Sequence, residues 1–186
     1  DKAASRINIS VKNNDKIAIF ADYDVDGATS GALLHDWLTQ LGSIPTLYIP
    51  DRIEEGYGPN IDAMETLAKT HDLIICVDCG TLSHDPINKI TDTDIIVLDH
   101  HLGGETLPNA YAVVNPNRQD EEGNLFYLCA AGVVFLTLVA INSIRRNEKE
   151  STPDLLNMLD LVALGTVADV APLVGFNRAL VRQGLK

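Results

Sequence analysis

With 186 residues and 46% hydrophobic content, the chain can bury one sizeable core, so a single domain is the default and an intrinsically disordered chain is excluded. Lys and Arg number 14 against 26 Asp and Glu, a net charge of −12 at pH 7. Taken alone, that charge argues against a general nucleic-acid-binding surface, unless several acids are metal ligands or a basic companion domain is missing from this piece. Three cysteines, an odd number, supply no disulfide framework and point to a reducing compartment. Residues 1–15 are polar and lack the apolar core of a signal peptide. The longest apolar stretch, Leu128 to Ile141, is too short to span a bilayer. The sequence starts without Met and stops inside a helical pattern, so it reads as a fragment of something longer.

In chain order, residues 1–15 predict a short helix with Ala3, Ala4, Ile7 and Val11 on one face. The apolar run Ile17 to Ala21 predicts a buried strand, followed at once by Asp22, Asp24, Asp26 and Gly27. A helical pattern through Ser30, Leu33, Leu34, Trp37, Leu38 and Leu41 then runs to about Gly42. Ile44 to Pro50 predicts a second strand, and Asp51 to Asn60 a loop containing Gly56-Tyr57-Gly58. Asn60 is a fair N-cap for a helix through Ala63, Met64, Leu67 and Ala68. Leu73 to Val77 predicts the third strand, Pro86 to Ile90 a short helix, Ile95 to Leu98 the fourth strand and Ala112 to Val114 the fifth. A buried helix follows Leu128, Pro153 opens another at its favoured first position, and Asn177 to Lys186 is again helical.

Strands alternating with helices, three of the strands continuous apolar runs, indicate an α/β fold: a mostly parallel β-sheet of about five strands with helices on both faces. Ligands bind such sheets beyond the carboxyl ends of the strands. Asp22/Asp24/Asp26, Asp78 and Asp99/His100/His101 all fall there, so separate parts of the chain deliver them to one crevice. Three aspartates on alternate positions repel one another unless a cation neutralises them. Neutral imidazole binds Mn²⁺ or Zn²⁺, and a neighbouring carboxylate orients it. Asp169, alone in an otherwise uncharged stretch, needs a metal or a basic neighbour if it is buried. Asp24, Asp26, Asp78, His100 and Asp169 together suit two hard divalent cations, Mn²⁺ or Mg²⁺, and hence hydrolysis of a phosphate ester or anhydride. Cys76 and Cys79 form a C-x-x-C, but positions three apart on a strand face opposite ways, so both read as packing residues. His35, His71 and His84 have no such company and read as surface or helix residues.

Asp99-His100-His101 resembles the signature of the DHH phosphoesterase superfamily. Asp22-Tyr-Asp-Val-Asp-Gly-Ala-Thr-Ser30, Ile49-Pro-Asp-Arg52 with Gly56-Tyr-Gly58, Val77-Asp-Cys-Gly-Thr81, Asn115-Pro-Asn117 and Ala163-Leu-Gly-Thr-Val-Ala-Asp169 are similar, in order and spacing, to its RecJ-type branch of single-stranded-DNA exonucleases. The resemblance covers about residues 16–185, and residues 1–186 are then expected to be the catalytic DHH domain, with a second domain (DHHA1) and an oligonucleotide-binding domain outside the chain. It implies metal ligation by Asp24, Asp26, Asp78, His100 and Asp169, with Asp78 as the bridge. It further implies catalytic roles for Asp22, Asp99 and His101, and substrate contacts from Arg52, Asn115 and Arg118, Arg52 toward a 5′ phosphate. Many relatives carry a metal-binding His where this chain has Phe20, which leaves Asp22 to substitute there. The implied activity is 5′→3′ hydrolysis of single-stranded DNA to mononucleotides, in repair and recombination, in the bacterial cytoplasm and without a membrane. The implied partners are single-stranded DNA with a 5′ end, a single-strand-binding protein and a helicase. The rivals are a DHH phosphodiesterase of short oligonucleotides or cyclic dinucleotides, and a non-enzymatic replication scaffold of the same fold.

Overall fold

In the computed structural model, which describes residues 1–186, every residue of the first and third strands is buried. The strands are β1 (Ile17–Ala21), β2 (Thr46–Tyr48), β3 (Leu73–Val77), β4 (Asp94–Leu98) and β5 (Ala112–Val114). They form one all-parallel sheet in the order β2-β1-β3-β4-β5. The chain leaves β1 in one direction to reach β2 and then returns past it to β3. That reversal places the topological switch point, where such sheets bind ligands, between β1 and β3.

The helices are α1 (Lys2–Asn13), α2 (Val25–Gln40), α3 (Ile61–Ala68), α4 (His84–Asn88), α5 (Ala130–Asn147), α6 (Leu159–Ala168) and α7 (Gly175–Gly184), with a short 3-10 helix at Leu155–Met158. Strand side chains alternate between two layers, as the period of two requires. Ile17, Ile19 and Ala21 join Leu73, Ile75 and Val77 in a large core with residues of α1, α2, α5 and α6. Ala18 and Phe20 join Ile74 and Cys76 in a smaller core with Ala63, Met64 and Leu67 of α3 and Ile87 of α4. Trp37, fully buried, donates from Nε1 to Asn142 Oδ1 at 3.0 Å and so ties α2 to α5.

Four local expectations need correction. The second strand is three residues, not seven: Pro45 and Pro50 flank it without N–H donors, and Ile44 and Ile49 face outward at this sheet edge. Pro153 does not open α6; Asp154 caps the intervening 3-10 helix through its side chain. The short helix α4 begins two residues before Pro86, at His84. Cys76 and Cys79 lie in the same small core, because the chain has left strand geometry at Asp78 before reaching Cys79.

Candidate metal centre

The strand register sets the site. Ala21 pairs with Val77, Val77 with Leu98 and Leu98 with Val114. The next residues, Asp22, Asp78, Asp99 and Asn115, are therefore level across four strand ends. The ladder continues through them: Asp22 N–H donates to Val77 O at 3.3 Å, Asp78 N–H to Leu98 O at 3.0 Å and Asp99 N–H to Val114 O at 3.0 Å. All four residues are buried. A parallel register thus turns four separate sequence motifs into one row of polar groups.

Asp24 and Asp26 come from the start of α2. Asp24 caps it, accepting from Gly27 N–H at 2.9 Å, where a carboxylate also complements the helix dipole. Gly27 is required because a Cβ there would lie 2.3 Å from the Asp22 carbonyl oxygen. Asp26 points inward and accepts from Ala130 N–H at 2.6 Å and Ala131 N–H at 2.9 Å, so its carboxylate sits on the N-terminus of α5. Burial nevertheless raises the Asp26 pKa against the pull of those two amides. From the other side α6 approaches closely: a Cβ on Gly165 would lie 2.6 Å from Thr29 Oγ1 and 2.8 Å from Asp26 Oδ1. Asp169 follows as the C-cap of α6.

His100 lies at the centre. Its Nε2 is 3.3 Å from Asp78 Oδ1 and 3.7 Å from Asp26 Oδ2, and its Nδ1 is 3.9 Å from Asp169 Oδ2. Asp78 Oδ1 and Asp22 Oδ1 are buried and have no hydrogen-bond partner. Burial, reinforced by the charges of Asp26 and Asp24, pushes the Asp78 carboxyl up to about 10. The backbone of Asp78 is itself strained, at φ +61°, a left-handed conformation uncommon for a residue with a side chain. Asp99 behaves oppositely. Burial alone would raise it, but hydrogen bonds from His101 and from Thr81 N–H outweigh burial and hold it at about 2. Its Oδ1 receives His101 Nδ1 at 2.8 Å and the amide of His100 at 2.7 Å, so it orients the histidine pair.

Three sets of side chains place ligand atoms within 4.8 Å of one another: Asp22 with Asp24 and Asp78, Asp78 with His100 and His101, and Asp26 with His100 and Asp169. All five expected ligands are among them, joined by Asp22 and His101. Asp78 and His100 each belong to two sets. The donor chemistry, carboxylates with imidazole around buried oxygens that lack partners, fits hard divalent cations. Phe20 takes no part: it is fully buried against Tyr48, ring centroids 5.3 Å apart, and Asp22 supplies the acid beside Asp24 and Asp78.

The expected substrate contacts divide. Arg52 is exposed on the turn after β2, its guanidinium 5.4 Å from the Tyr23 ring centroid. Asn115 lies beneath the site rather than in it, donating to Thr81 Oγ1 and to the His101 carbonyl, both at 2.8 Å. Arg118 is held by Asp120 and by the Val113 carbonyl, and has no contact with the acids of the cluster. Sequence reasoning gave no role to Tyr57, whose hydroxyl reaches Asp78 and His101; the glycines on both sides of it were the available signal. The seating of Asp26 on α5 had no local signal, since the partners are 104 and 105 residues apart.

The DHH family N-terminal domain pattern matches residues 16–166. The chain belongs to the DHH family. Within this family it is similar to the single-stranded-DNA-specific exonuclease RecJ of Dickeya dadantii (strain 3937), with 40% identity over 99% of this chain and 34% of the relative. Among solved structures, an exonuclease RecJ bound to manganese superposes with a TM-score of 0.87 at 37% identity, covering 98% of this chain and 46% of that one. RecJ in complex with Mn²⁺ from Thermus thermophilus gives 0.80 at 34% identity, over 98% and 26%. The DHH chain spans only 27% to 34% of the length of three curated RecJ relatives. No helix in it is long and apolar enough to cross a membrane.

Proposed function

We propose that the chain is the catalytic domain of a metal-dependent phosphodiesterase, a 5′→3′ exonuclease that hydrolyses single-stranded DNA to mononucleotides. The observation that carries this reading is the convergence of buried, unpartnered Asp22 and Asp78 oxygens with His100 between Asp26, Asp78 and Asp169. Asp24, Asp26, Asp78, His100 and Asp169 would hold two Mn²⁺ or Mg²⁺ ions, with Asp78 shared and Asp22 completing the set beside Phe20. Bound there, such ions supply activation of water and neutralisation of charge on a phosphate. Similarity to RecJ proteins, two of them solved with manganese, supports both the metal and the polymer chosen.

The side chains divide the remaining work. Asp99, ionised across the working pH range, fixes His101 through Nδ1 and leaves Nε2 to take or give a proton at the phosphodiester. Hydrogen bonds from Asn115 and Asn117 to the carbonyls of His101 and His100 keep the two rings in place. Arg52 is the cation available to a terminal 5′ phosphate. The net charge of −12 fits a division of labour in which other domains of a longer protein, a DHHA1 domain and an oligonucleotide-binding domain, grip the strand. The reading also places the protein in the bacterial cytoplasm, acting in repair and recombination with a single-strand-binding protein and a helicase.

The test is release of mononucleotides from 5′-phosphorylated single-stranded DNA with Mn²⁺, by this chain and by the longer protein containing it. Loss on chelation and loss in Asp78→Ala are expected. Cleavage confined to dinucleotides or cyclic dinucleotides would replace the exonuclease reading with that of a short-oligonucleotide phosphodiesterase. Wild-type activity in Asp78→Ala would end the bridging role.

A further inference from the structure

The turn from β2 to α3 is closed on a single carboxylate. Glu55 Oε2 accepts from Asp51 N–H at 2.8 Å, while Oε1 accepts from the Tyr48 hydroxyl and from Asn60 Nδ2 at 3.0 Å. Asp51 Oδ1 in turn accepts from Ile53 N–H at 2.8 Å and Glu54 N–H at 3.0 Å. One acid thus ties the end of the strand, the entry of the turn and the cap of α3 together. None of its partners belongs to the metal centre.

The far end of this strap carries Tyr57, set between Gly56 at φ +81° and Gly58 at φ +73°. Its hydroxyl donates to the Asp78 carbonyl at 3.2 Å and lies 3.2 Å from Nδ1 of His101. The Tyr57 ring meets His101 edge-on, centroids 5.7 Å apart, and meets Tyr23 edge-on at 6.5 Å. A phenol carries its proton at neutral pH, so the hydroxyl is a donor to that carbonyl. The carbonyl it holds belongs to the residue whose backbone is in the left-handed region. Such a conformation persists where its surroundings over-determine it.

We propose that Tyr57 is a positioning residue: the strap closed on Glu55 holds its phenol against the Asp78 peptide and the His101 ring, fixing both for the reaction. The inference rests on the phosphodiesterase reading of the site. It makes the turn a working part of the centre, with Glu55 acting through Tyr57 and not on the substrate.

The experiment compares wild type, Tyr57→Phe, Glu55→Ala and the double variant, by calorimetric titration of Mn²⁺ and by hydrolysis of bis(p-nitrophenyl) phosphate, a small phosphodiester that needs no DNA-gripping surface. Thermal midpoints are measured alongside to show that each variant is folded. Tyr57→Phe keeps the ring and removes one hydroxyl. It is expected to lower kcat about tenfold with KM within about twofold, at the low end for partners of metal ligands. The Mn²⁺ Kd should rise about fivefold, the value of one hydrogen bond. Glu55→Ala is expected to show the same pattern, and the double variant to be no worse than about twofold below the weaker single variant. Wild-type kcat and Mn²⁺ affinity in Tyr57→Phe would overturn the proposal, as would additive losses in the double variant. Should wild type leave the diester intact, the phosphodiesterase reading fails, and the Mn²⁺ affinities of the folded variants still decide the role of Tyr57.

Discussion

The two ends of the sheet handle their acids in opposite ways. At the amino ends of β1, β3 and β4, Asp15, Asp72 and Asp94 converge on Arg6 of α1. The guanidinium reaches Asp94 at 2.6 Å, Asp15 at 3.2 Å and the Asp72 carbonyl at 3.4 Å. Ser10 and the Lys16 amide complete that network. At the carboxyl ends, Asp22, Asp24, Asp26, Asp78, Asp99 and Asp169 gather with two imidazoles and no Lys or Arg in an ion pair. Where the chain provides its own cation, the acids are structural. Where it does not, two buried carboxylate oxygens are left without partners, a cost that a proton or an added cation lowers. This asymmetry, more than the number of acids, marks the functional end.

Several substitutions would break or sharpen the contrast. The largest stability effect is expected at the structural end: Arg6→Met should cost about 2–3 kcal/mol, since it strands partly buried carboxylates. Chemical denaturation would read it, and Mn²⁺ affinity should stay within about twofold. Gly165→Ala comes next, at about 2 kcal/mol, because the new methyl must displace Thr29 and Asp26. Here Mn²⁺ affinity should fall as well, which separates a packing fault at the metal centre from one at the Arg6 end. Asp78→Asn, read in metal-free protein at neutral pH, should stabilise the chain by about 1 kcal/mol, because burial obliges the Asp78 carboxyl to take up a proton on folding, whereas an amide is neutral in both states. A loss of stability there would mean that Asp78 is satisfied within the chain. The smallest effect is expected for exposed Asp72→Asn, at under about 0.5 kcal/mol, since its carboxylate meets only the Lys16 amide.

Much of this was legible in the sequence because strand ends are locally encoded. Ile17 to Ala21, Leu73 to Val77 and Ile95 to Leu98 are apolar runs that stop at an acid, and a parallel sheet aligns their carboxyl ends whatever the intervening helices do. The fold class and the convergence of the Asp22–Asp26 loop, Asp78 and Asp99-His100-His101 follow from that; Asp169, the C-cap of α6, was drawn in by its otherwise uncharged stretch and by the family resemblance. What escaped depends on contacts distant in sequence or on local backbone geometry. The resemblance implied a substrate contact at Asn115, and its amide donates to Thr81 and to the His101 carbonyl. It implied another at Arg118, whose guanidinium pairs with Asp120, two residues away. The left-handed turn at Asp78 put Cys79 in the same core as Cys76, which strand alternation alone would deny.

The most direct test of the account is calorimetric titration of Mn²⁺ into the chain, wild type beside Asp78→Asn. Two ions per wild-type chain are expected, with affinity reduced more than about a hundredfold in the variant, since the shared ligand serves both positions. Equal binding by the two proteins, or no binding by wild type, would contradict the claim that the carboxyl end of the sheet is built to collect cations.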